Sequence, residues 1–146
     1  MGNSKRIGNN WESQFELLCR SEGIYVVPIP DGARWIAKGR PIAVRAPFDF
    51  MIFRHAKAAA IDTKTTAQKT FSHSYVDENQ LKWLLEVEMS GVPAGYLVHF
   101  RKTDQIIFFP ASVLFKLTPK DSLSPEEGIY CGSLGRSKIE VVFSHI

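Results

Sequence analysis

Residues 47–66 decide the fold, and they read PFDFMIFRHAKAAAIDTKTT. Two runs, 47–54 and 57–64, are rich in apolar residues and flank the pair His55-Ala56. Runs of this length and composition, separated by so few residues, are typical of two antiparallel strands joined by a tight turn. Their apolar character also indicates that both strands are largely buried. We therefore predict a buried β-hairpin at this point of the chain.

The expected register of this hairpin places three charged residues on one face of the sheet. If the chain turns at His55-Ala56, the numbers of facing residues add to 111, and Asp49 faces Asp62. Facing residues lie on the same side of a sheet, with Cβ atoms about 5 Å apart. Lys64 is two residues beyond Asp62 and therefore points to that side as well. This register is an assumption, because Asn-Gly would favour a two-residue turn more strongly and a slip of one residue would separate the two carboxylates.

Two carboxylates beside an ammonium group are suited to metal-assisted cleavage of phosphodiesters. Adjacent carboxylates repel one another, and a bound Mg²⁺ relieves the repulsion by taking oxygen ligands from them. Such an ion polarises a phosphate and lowers the pKa of a bound water, while a neighbouring lysine orients that water or stabilises the developing negative charge. The alternative is that Asp49 and Asp62 are turn residues at strand ends and that Lys64 is a surface charge. The apolar residues around them favour the first interpretation, since buried carboxylates need partners.

Periodicity and turn signals predict the remaining elements. Trp11, Phe15 and Leu18 recur at helical spacing and form one apolar stripe, which indicates an amphipathic helix. Asp77 is a natural N-cap, and Gln80 three residues later completes a capping-box pattern at the start of a second helix. The predicted elements around the hairpin are a disordered segment (1–8), a helix (9–21), a strand (24–29), a long basic loop or protrusion (30–46), a polar loop (65–76), a helix (77–90), two strands (94–101 and 105–110), a short helix or extended edge segment (111–118) and a final strand (141–143).

The order α-β-β-β-α-β-β predicts an α/β fold with a mixed central β-sheet flanked by helices. A chain of 146 residues favours one core, so we predict a single domain over residues 1–146. No apolar run is long enough to cross a bilayer and no signal-peptide pattern opens the chain, from which we expect a cytoplasmic protein without a membrane partner. The two cysteines, Cys19 and Cys131, share no metal-ligand spacing, which argues against a zinc site or a disulfide.

Positive charge lies close to the acidic cluster in sequence, in the predicted loop 30–46. A basic stretch beside an acidic cluster suits an enzyme that acts on a phosphate backbone, although a solvated surface explains the charges equally well. Trp35 suits stacking on an unpaired base, and the alternatives are that it anchors the loop on the core or on a second subunit. Hydroxyl groups after the hairpin are candidates for donating hydrogen bonds to phosphates. The candidate DNA-binding residues are Arg34, Trp35, Lys38, Arg40, Arg45, Thr65, Thr66 and Ser72.

The acidic cluster resembles the motif of the PD-(D/E)xK nuclease superfamily. That motif places an acidic residue on one strand and a carboxylate-x-Lys on the next, here Asp49 after Pro47 and then Asp62-Thr63-Lys64. A glutamate is more usual at the second position in junction resolvases, so Asp62 departs from that branch. The resemblance implies a restriction-endonuclease-like fold and a Mg²⁺-dependent endonuclease, in which Mn²⁺ can replace Mg²⁺. It also implies that Asp49 and Asp62 bind the metal and that Lys64 positions the attacking water.

A longer part of the chain, from residue 8 to residue 116, resembles the Holliday-junction resolvases of the recombination-protein-U type. The sequence GNNWE at 8–12 is similar to the Gly-x-x-x-Glu that begins the first helix of that family, and Gln80 matches a glutamine at the head of a later helix. The resemblance implies that Glu12 reaches the metal or its water and that Gln80 supports the active site. It further implies a homodimer that resolves four-way DNA junctions in a bacterial, archaeal or phage-infected cell.

Two other functions stay open from the residues. A restriction- or repair-type nuclease acting on duplex DNA would use the same acidic cluster. A non-catalytic DNA-binding module of the same fold would keep the basic surface without cleaving. Comparing cleavage of a four-way junction with cleavage of linear duplex separates a junction resolvase from a duplex nuclease. Mg²⁺-dependent nicking separates both nucleases from the binding module.

Overall fold

A mixed sheet forms the centre of the computed structural model, which describes residues 2–36, 40–44, 46–135 and 138–139. The described elements are α1 (Gly2–Ser21), β1 (Tyr25–Pro28), β2 (Gly32–Ile36), β3 (Arg40–Val44), β4 (Phe50–Arg54), β5 (Lys57–Thr66), β6 (Phe71–Ser72), α2 (Glu78–Met89), β7 (Ala94–Phe100), β8 (Gln105–Pro110), α3 (Ala111–Phe115), β9 (Ser122–Leu123), β10 (Ile129–Ser133) and β11 (Lys138–Ile139). Within these ranges the sheet has seven strands in the order β1-β4-β5-β7-β8-β10-β11. Strands β5 and β7 run parallel, and the other neighbours in the sheet run antiparallel.

The hairpin of β4 and β5 has the predicted register. Arg54 faces Lys57, and the pairing continues without a slip, so the numbers of facing residues add to 111. The turn residues His55 and Ala56 have φ angles of 49° and 66°. Two positive φ angles in succession are typical of a type I′ turn, whose twist matches that of the paired strands. The predicted turn is therefore confirmed, although neither residue has the side chain that this turn prefers.

Helices cover both faces of the sheet. Alternation along β5 places Ile61 in the core beneath α1 and Ala60 in the core beneath α2 and α3. By the same alternation Asp62 and Lys64 lie on the α2 face, and Thr63 lies on the α1 face. Helix α1 is the longest of the described helices at 20 residues, and none of them is long and apolar enough to cross a membrane.

Helix α2 connects the parallel strands β5 and β7, which cannot be joined by a tight turn. The Asp77 carboxylate accepts hydrogen bonds from the backbone N–H groups of Asn79 (2.8 Å) and Gln80 (3.1 Å), as expected of an N-cap. The second half of the predicted capping box does not form, because Oε1 of Gln80 has no hydrogen-bond partner among the described residues. The Gln80 side chain is instead buried and does not cap the helix.

The N-terminal helix is longer than predicted. We expected residues 1–8 to be disordered and a helix over 9–21, but α1 begins at Gly2. The apolar stripe begins one turn earlier than Trp11, because Ile7 is half-buried and adds to it. The prediction of disorder is therefore wrong for residues 2–8, where packing of the stripe adds to helix stability.

The segment predicted as a loop over residues 30–46 contains a second hairpin. Strands β2 and β3 pair antiparallel, with Gly32 facing Val44 and Ile36 facing Arg40. The carboxylate of Asp31 accepts a hydrogen bond from the backbone N–H of Ala46, 2.7 Å, and closes the base of this hairpin. Gly32 begins β2, and Pro41 lies on β3 of a two-stranded sheet, where a missing N–H is tolerated.

Later parts of the chain were predicted with mixed success. The short helix expected in 111–118 is present as α3, and strands 94–101 and 105–110 correspond to β7 and β8. The polar loop 65–76 is wrong in part, because β5 continues to Thr66 and β6 follows. Strands β9, β10 and β11 were not predicted, and the final strand expected at 141–143 lies outside the described residues.

Candidate functional site

Strands β4 and β5 separate at one end of the sheet. Strand β4 begins at Phe50, which faces Ile61, whereas β5 continues to Thr66. Beyond Ile61, β5 is paired with β7 on one edge while β4 no longer covers the other edge. Backbone groups at such a gap need partners from elsewhere in the chain. The charged cluster predicted from the sequence lies at this gap: Asp49, Asp62 and Lys64.

Asp49 directly precedes β4 and would face Asp62 if the pairing of β4 with β5 continued by one more residue. Its Oδ2 accepts hydrogen bonds from the backbone N–H and the hydroxyl group of Thr63, each at 2.8 Å. Its own backbone carbonyl accepts a hydrogen bond from the N–H of Ile29, also at 2.8 Å. These bonds use Oδ2 and hold the half-buried Asp49 carboxylate against β5.

Asp62 is buried and only partly neutralised. Its Oδ2 lies 3.1 Å from Nζ of Lys64, and apart from this ion pair neither carboxylate oxygen has a hydrogen-bond partner among the described residues. Burial, followed by the negative charge of Asp49, raises the pKa of Asp62 to about 7, and Lys64 opposes the rise. A carboxyl group with this pKa is partly protonated at neutral pH, so the pocket around it favours a further positive charge.

Glu12 comes close to the same cluster from helix α1. Burial, followed by the charges of Asp49 and more weakly Asp31, raises the pKa of the half-buried Glu12, while Lys64 lowers it. Asp31, whose charge acts on Glu12, closes the base of the β2–β3 hairpin, so this base is also near the cluster. Helix α1, the hairpin base and the end of β5 therefore meet around the gap.

The buried tyrosine Tyr96 adjoins the cluster on strand β7. It pairs with Asp62 in the parallel register, and its hydroxyl group has no hydrogen-bond partner among the described residues. Burial, and then the charges of Asp62 and Asp77, raises the pKa of Tyr96. Gln80 lies on the first turn of α2, beside the Asp77 cap, and makes no hydrogen bond to Asp49, Asp62 or Lys64 in the described part of the chain. The predicted supporting role of Gln80 therefore has no direct contact behind it.

The donor groups at the gap fit a hard divalent cation. In the described ranges no three His, Cys, Asp or Glu side chains are already arranged as a complete metal site. Mg²⁺, however, commonly takes only one or two carboxylates, with water and substrate phosphate as its other ligands. The unpartnered Oδ1 of Asp62 and the adjacent Asp49 carboxylate provide such a pair. The residues able to hold the ion are therefore Asp49 and Asp62, with Glu12 within electrostatic range of them.

The hydroxyl groups predicted to contact DNA are used inside the protein. Thr65 Oγ1 donates to the carbonyl of His99 (3.3 Å) and accepts from Arg101 Nη1 (3.0 Å). Thr66 is buried, and its Oγ1 accepts from the backbone N–H of Gln68. Ser72 Oγ accepts from the N–H of Ser74 and caps a short 3-10 turn. The hydroxyl groups of these three residues, at the end of β5 and on β6, are therefore used within the protein and leave few donors for phosphate.

The predicted basic residues belong to the second hairpin or fall outside the described chain. Arg34 and Trp35 lie on β2, and Arg40 begins β3. Lys38 and Arg45 lie outside the described residues. Asp31 closes the base of this hairpin and is near enough to Glu12 to help raise the pKa of Glu12. The basic hairpin therefore begins close to the gap.

Sequence reasoning missed two residues that shape the gap. Thr63, the middle residue of Asp62-Thr63-Lys64, holds Asp49 through two hydrogen bonds. Its hydroxyl group was the available signal, since a β-branched residue with a donor can bond a neighbouring strand end. Tyr96 had no local signal, because its place beside Asp62 depends on the parallel register of β5 with β7.

The comparisons with known proteins show the fold. No protein-family model and no curated protein matches the sequence. Among solved structures, the chain is similar to Hjc from Archaeoglobus fulgidus, described as a Holliday junction resolvase from an archaeal hyperthermophile. The TM-score is 0.61 at 14% identity, over 84% of this chain and 95% of that chain. The mixed sheet flanked by helices is thus the restriction-endonuclease-like fold that the sequence predicted.

Proposed function

We propose that this protein is a divalent-metal-dependent DNA endonuclease of the PD-(D/E)xK kind that resolves four-way junctions. The observation that carries the proposal is the buried Asp62, which has one unpartnered oxygen and lies beside both Asp49 and Lys64. Burying such a carboxylate costs free energy unless a cation satisfies it. The similarity in fold to an archaeal Holliday junction resolvase supports this choice among metal-dependent activities.

Each residue of the cluster has a distinct task in this proposal. When bound by Asp49 and Asp62, Mg²⁺ or Mn²⁺ supplies charge that polarises the scissile phosphodiester and acidifies a water. Thr63 keeps Asp49 in place, and the ion pair with Asp62 holds the Lys64 ammonium at the gap. Lys64 then orients the attacking water or stabilises the negative charge that develops on the phosphate. Glu12 adds negative potential from α1, whereas Gln80 is buried on the first turn of α2 and makes no hydrogen bond to the cluster among the described residues.

The basic hairpin provides the surface for branched DNA in this proposal. Arg34, Trp35 and Arg40 lie on β2 and β3, whose base adjoins the cluster. Positive charge at this place attracts the phosphate backbone in a salt-dependent manner. Since the described part of one chain carries one such cluster, paired cuts in opposite strands of a junction require two copies, which is why we include a homodimer in the proposal.

The test is incubation of the purified protein with a synthetic four-way junction, and with linear duplex of the same sequence, in the presence and absence of Mg²⁺ or Mn²⁺. We expect metal-dependent paired cuts in the junction and little cleavage of the duplex. Equal cleavage of both substrates would indicate a restriction- or repair-type nuclease instead. No cleavage with either ion would indicate a DNA-binding module.

Asp49→Asn is the variant that links this activity to the cluster. An asparagine Oδ1 can still accept the hydrogen bonds from Thr63, so the local fold is retained while the negative charge is lost. We expect cleavage to fall at least about a thousandfold while junction binding persists. The matched control is Glu126→Gln, which removes an exposed carboxylate between β9 and β10 and is expected to cleave normally. Junction cleavage by Asp49→Asn at the control rate would contradict the assignment.

A further inference from the structure

A polar cleft lies at the end of strand β5, beyond the charged cluster. It has a volume of about 320 Å³ and is lined by Ile7, Thr65, Thr66, Ala67, Gln68, Tyr75 and Arg101. Its first lining residue on β5, Thr65, directly follows Lys64 of the charged cluster. Thr65 points to the opposite face of the sheet from Lys64, but Thr66, which also lines the cleft, points to the same face and lies about 7 Å further along β5. A nucleic-acid strand held at the gap is therefore long enough to reach this cleft.

The contacts of Arg101 hold its backbone and one guanidinium nitrogen in place at the cleft. Its backbone N–H donates to the carbonyl of Thr66 at 2.9 Å, which continues the pairing of β5 beyond the end of β7. Its Nη1 donates to Thr65 Oγ1, and that hydroxyl group in turn donates to the carbonyl of His99. The guanidinium group is exposed and forms no ion pair with a carboxylate in the described ranges. An arginine fixed through one donor retains the others for a phosphate group.

Tyr75 forms the opposite wall of the cleft with an aromatic surface. Tyr75 is 57% exposed, so its ring is accessible to a ligand. The ring is supported from one side by Phe71, with ring centroids 6.3 Å apart. The side that faces the cleft remains available for stacking, and base–aromatic stacking tolerates any sequence because every base has a π-face.

We propose that this β5-end cleft binds one nucleotide of the cleaved strand, next to the scissile phosphodiester. Arg101 binds the phosphate of that nucleotide, and the ring of Tyr75 stacks on its base. Thr65 is a positioning residue, since it acts on DNA only through Arg101. The inference rests on the proposed nuclease function, because it takes the charged cluster as the place of cleavage.

The test measures binding apart from cleavage. Full-length protein carrying Asp49→Asn is titrated with a synthetic four-way junction without divalent ions, over a range of salt concentrations. We expect Arg101→Ala to raise the Kd about five- to tenfold and to lower the slope of log K against log salt by about one. Lys102→Ala is the matched control, since it removes the same charge from the adjacent exposed residue, which does not line the cleft. Equal Kd values for the two variants would overturn the proposal.

Two further pairs of variants separate ligand contact from structural support. Thr65→Val removes the hydroxyl group that holds Arg101, and we expect it to raise the Kd while Thr65→Ser restores it. Tyr75→Leu is expected to weaken binding about fivefold or more, whereas Tyr75→Phe keeps the ring and the affinity. Junctions with a single abasic nucleotide, moved one position at a time past the cut site, should at one position make Tyr75→Leu bind as well as Tyr75. A Tyr75→Leu defect that no abasic position removes would overturn the stacking assignment.

The outcomes distinguish this inference from the proposed function. If the wild-type protein never cleaves a junction with Mg²⁺ or Mn²⁺ but Arg101→Ala still weakens binding, the nuclease proposal fails and the cleft remains a nucleotide-binding site. If the wild-type protein cleaves junctions while Arg101→Ala and Lys102→Ala behave alike, the cleft assignment alone fails. A protein that binds no DNA overturns both.

Discussion

Asp62 is a carboxyl group that the fold buries beside a second carboxylate, with a single ion pair to compensate. In the metal-free protein its ionised form is therefore unfavourable, and the folded state binds a proton more tightly than the unfolded chain does. The residue links the stability of the protein to pH and to cation binding, and both effects can be measured without any DNA substrate.

The pH dependence of stability follows from the direction of this shift. Because the pKa of Asp62 rises to about 7 on folding, its contribution is fully present below about pH 4 and is lost as the pH rises toward 7. We expect Asp62→Asn in chelator to be more stable than wild type at neutral pH, by at most about 4 kcal/mol, with no advantage near pH 4. Urea denaturation across this range measures the difference.

Asp121→Asn is the control for this pH series. Hydrogen bonds from the backbone and then the side chain of Thr118 lower the pKa of the exposed Asp121, so its contribution to stability is present at neutral pH and lost as the pH falls below about 4. The two variants should therefore differ from wild type in opposite directions at pH 7. A constant difference between Asp62→Asn and wild type from pH 4 to pH 7 would contradict the buried, unneutralised state of Asp62.

A Lys64 variant tests whether the charge of this residue acts on the chemical step or on DNA binding. Its side chain is only 22% exposed and is held by Asp62 at 3.1 Å. We expect Lys64→Met to lower kcat for junction cleavage about a hundredfold with little change in junction affinity, because the charge acts mainly on the transition state. Lys57→Met, an exposed position at the start of the same strand, should leave kcat unchanged. A larger effect on affinity than on kcat would instead identify Lys64 as a binding residue.

At the scale of elements, the hairpin of β4 and β5 brings the charged cluster together, and its turn carries local strain. His55 and Ala56 both adopt positive φ, which costs a residue with a side chain roughly 1 kcal/mol or more. The register survives this cost because the apolar residues of both strands are buried on their correct faces only in this pairing. Pairing of the long strands, rather than the turn residues, decides the position of Asp49.

Replacing the turn with residues suited to it should stabilise the protein. We expect the double variant His55→Asn with Ala56→Gly to raise the free energy of unfolding by about 1–2 kcal/mol, because both residues then accept positive φ. Thermal and urea denaturation measure the change, and cleavage activity should be unaffected. The control, Ala58→Gly on β5, changes a residue in regular strand geometry and should destabilise the protein by about 0.5–1 kcal/mol. Destabilisation by the double variant would contradict the type I′ turn.

At the scale of the whole molecule, α1 and the end of the sheet are tied together near the charged cluster. The His99 ring lies 5.2 Å from the ring of Trp11, centroid to centroid, and its Nε2 lies 2.9 Å from the Asp104 carboxylate. Asp104 also accepts backbone hydrogen bonds from Leu134 and Gly135, which join the β7–β8 turn to the segment after β10. These contacts hold the helix that carries Glu12 against β7, the strand that pairs with β5.

In the proposed function, paired cleavage of a junction requires two copies of this molecule. We expect the protein to sediment at about twice the 16.5 kDa of the chain. Mixed dimers of wild-type protein and Asp49→Asn should then nick one strand of a cruciform plasmid, where the wild-type dimer linearises it. Independently tagged subunits allow the mixed dimer to be purified, and the homodimeric variant is its control. A monomer that still makes paired cuts would contradict the two-site arrangement.

The sequence by itself determined the parts of this protein that depend on neighbours along the chain. The β4–β5 register, the Asp77 cap and the strands β7 and β8 follow from local periodicity and turn geometry, and with them the convergence of Asp49, Asp62 and Lys64. A period of two residues decides which face a side chain occupies, so one hairpin was enough to predict the charged cluster.

Only the tertiary structure decided what surrounds the cluster. Tyr96 adjoins Asp62 and Arg101 adjoins Thr65 because β5 and β7 pair in one parallel register, which is set by packing against α2 and not by any local pattern. Gln80, expected to complete a capping box, is buried instead because the helix packs on the sheet through its first turn. Contacts between residues more than thirty positions apart depend on the free energy of the assembled core, to which each stretch of sequence contributes only a part.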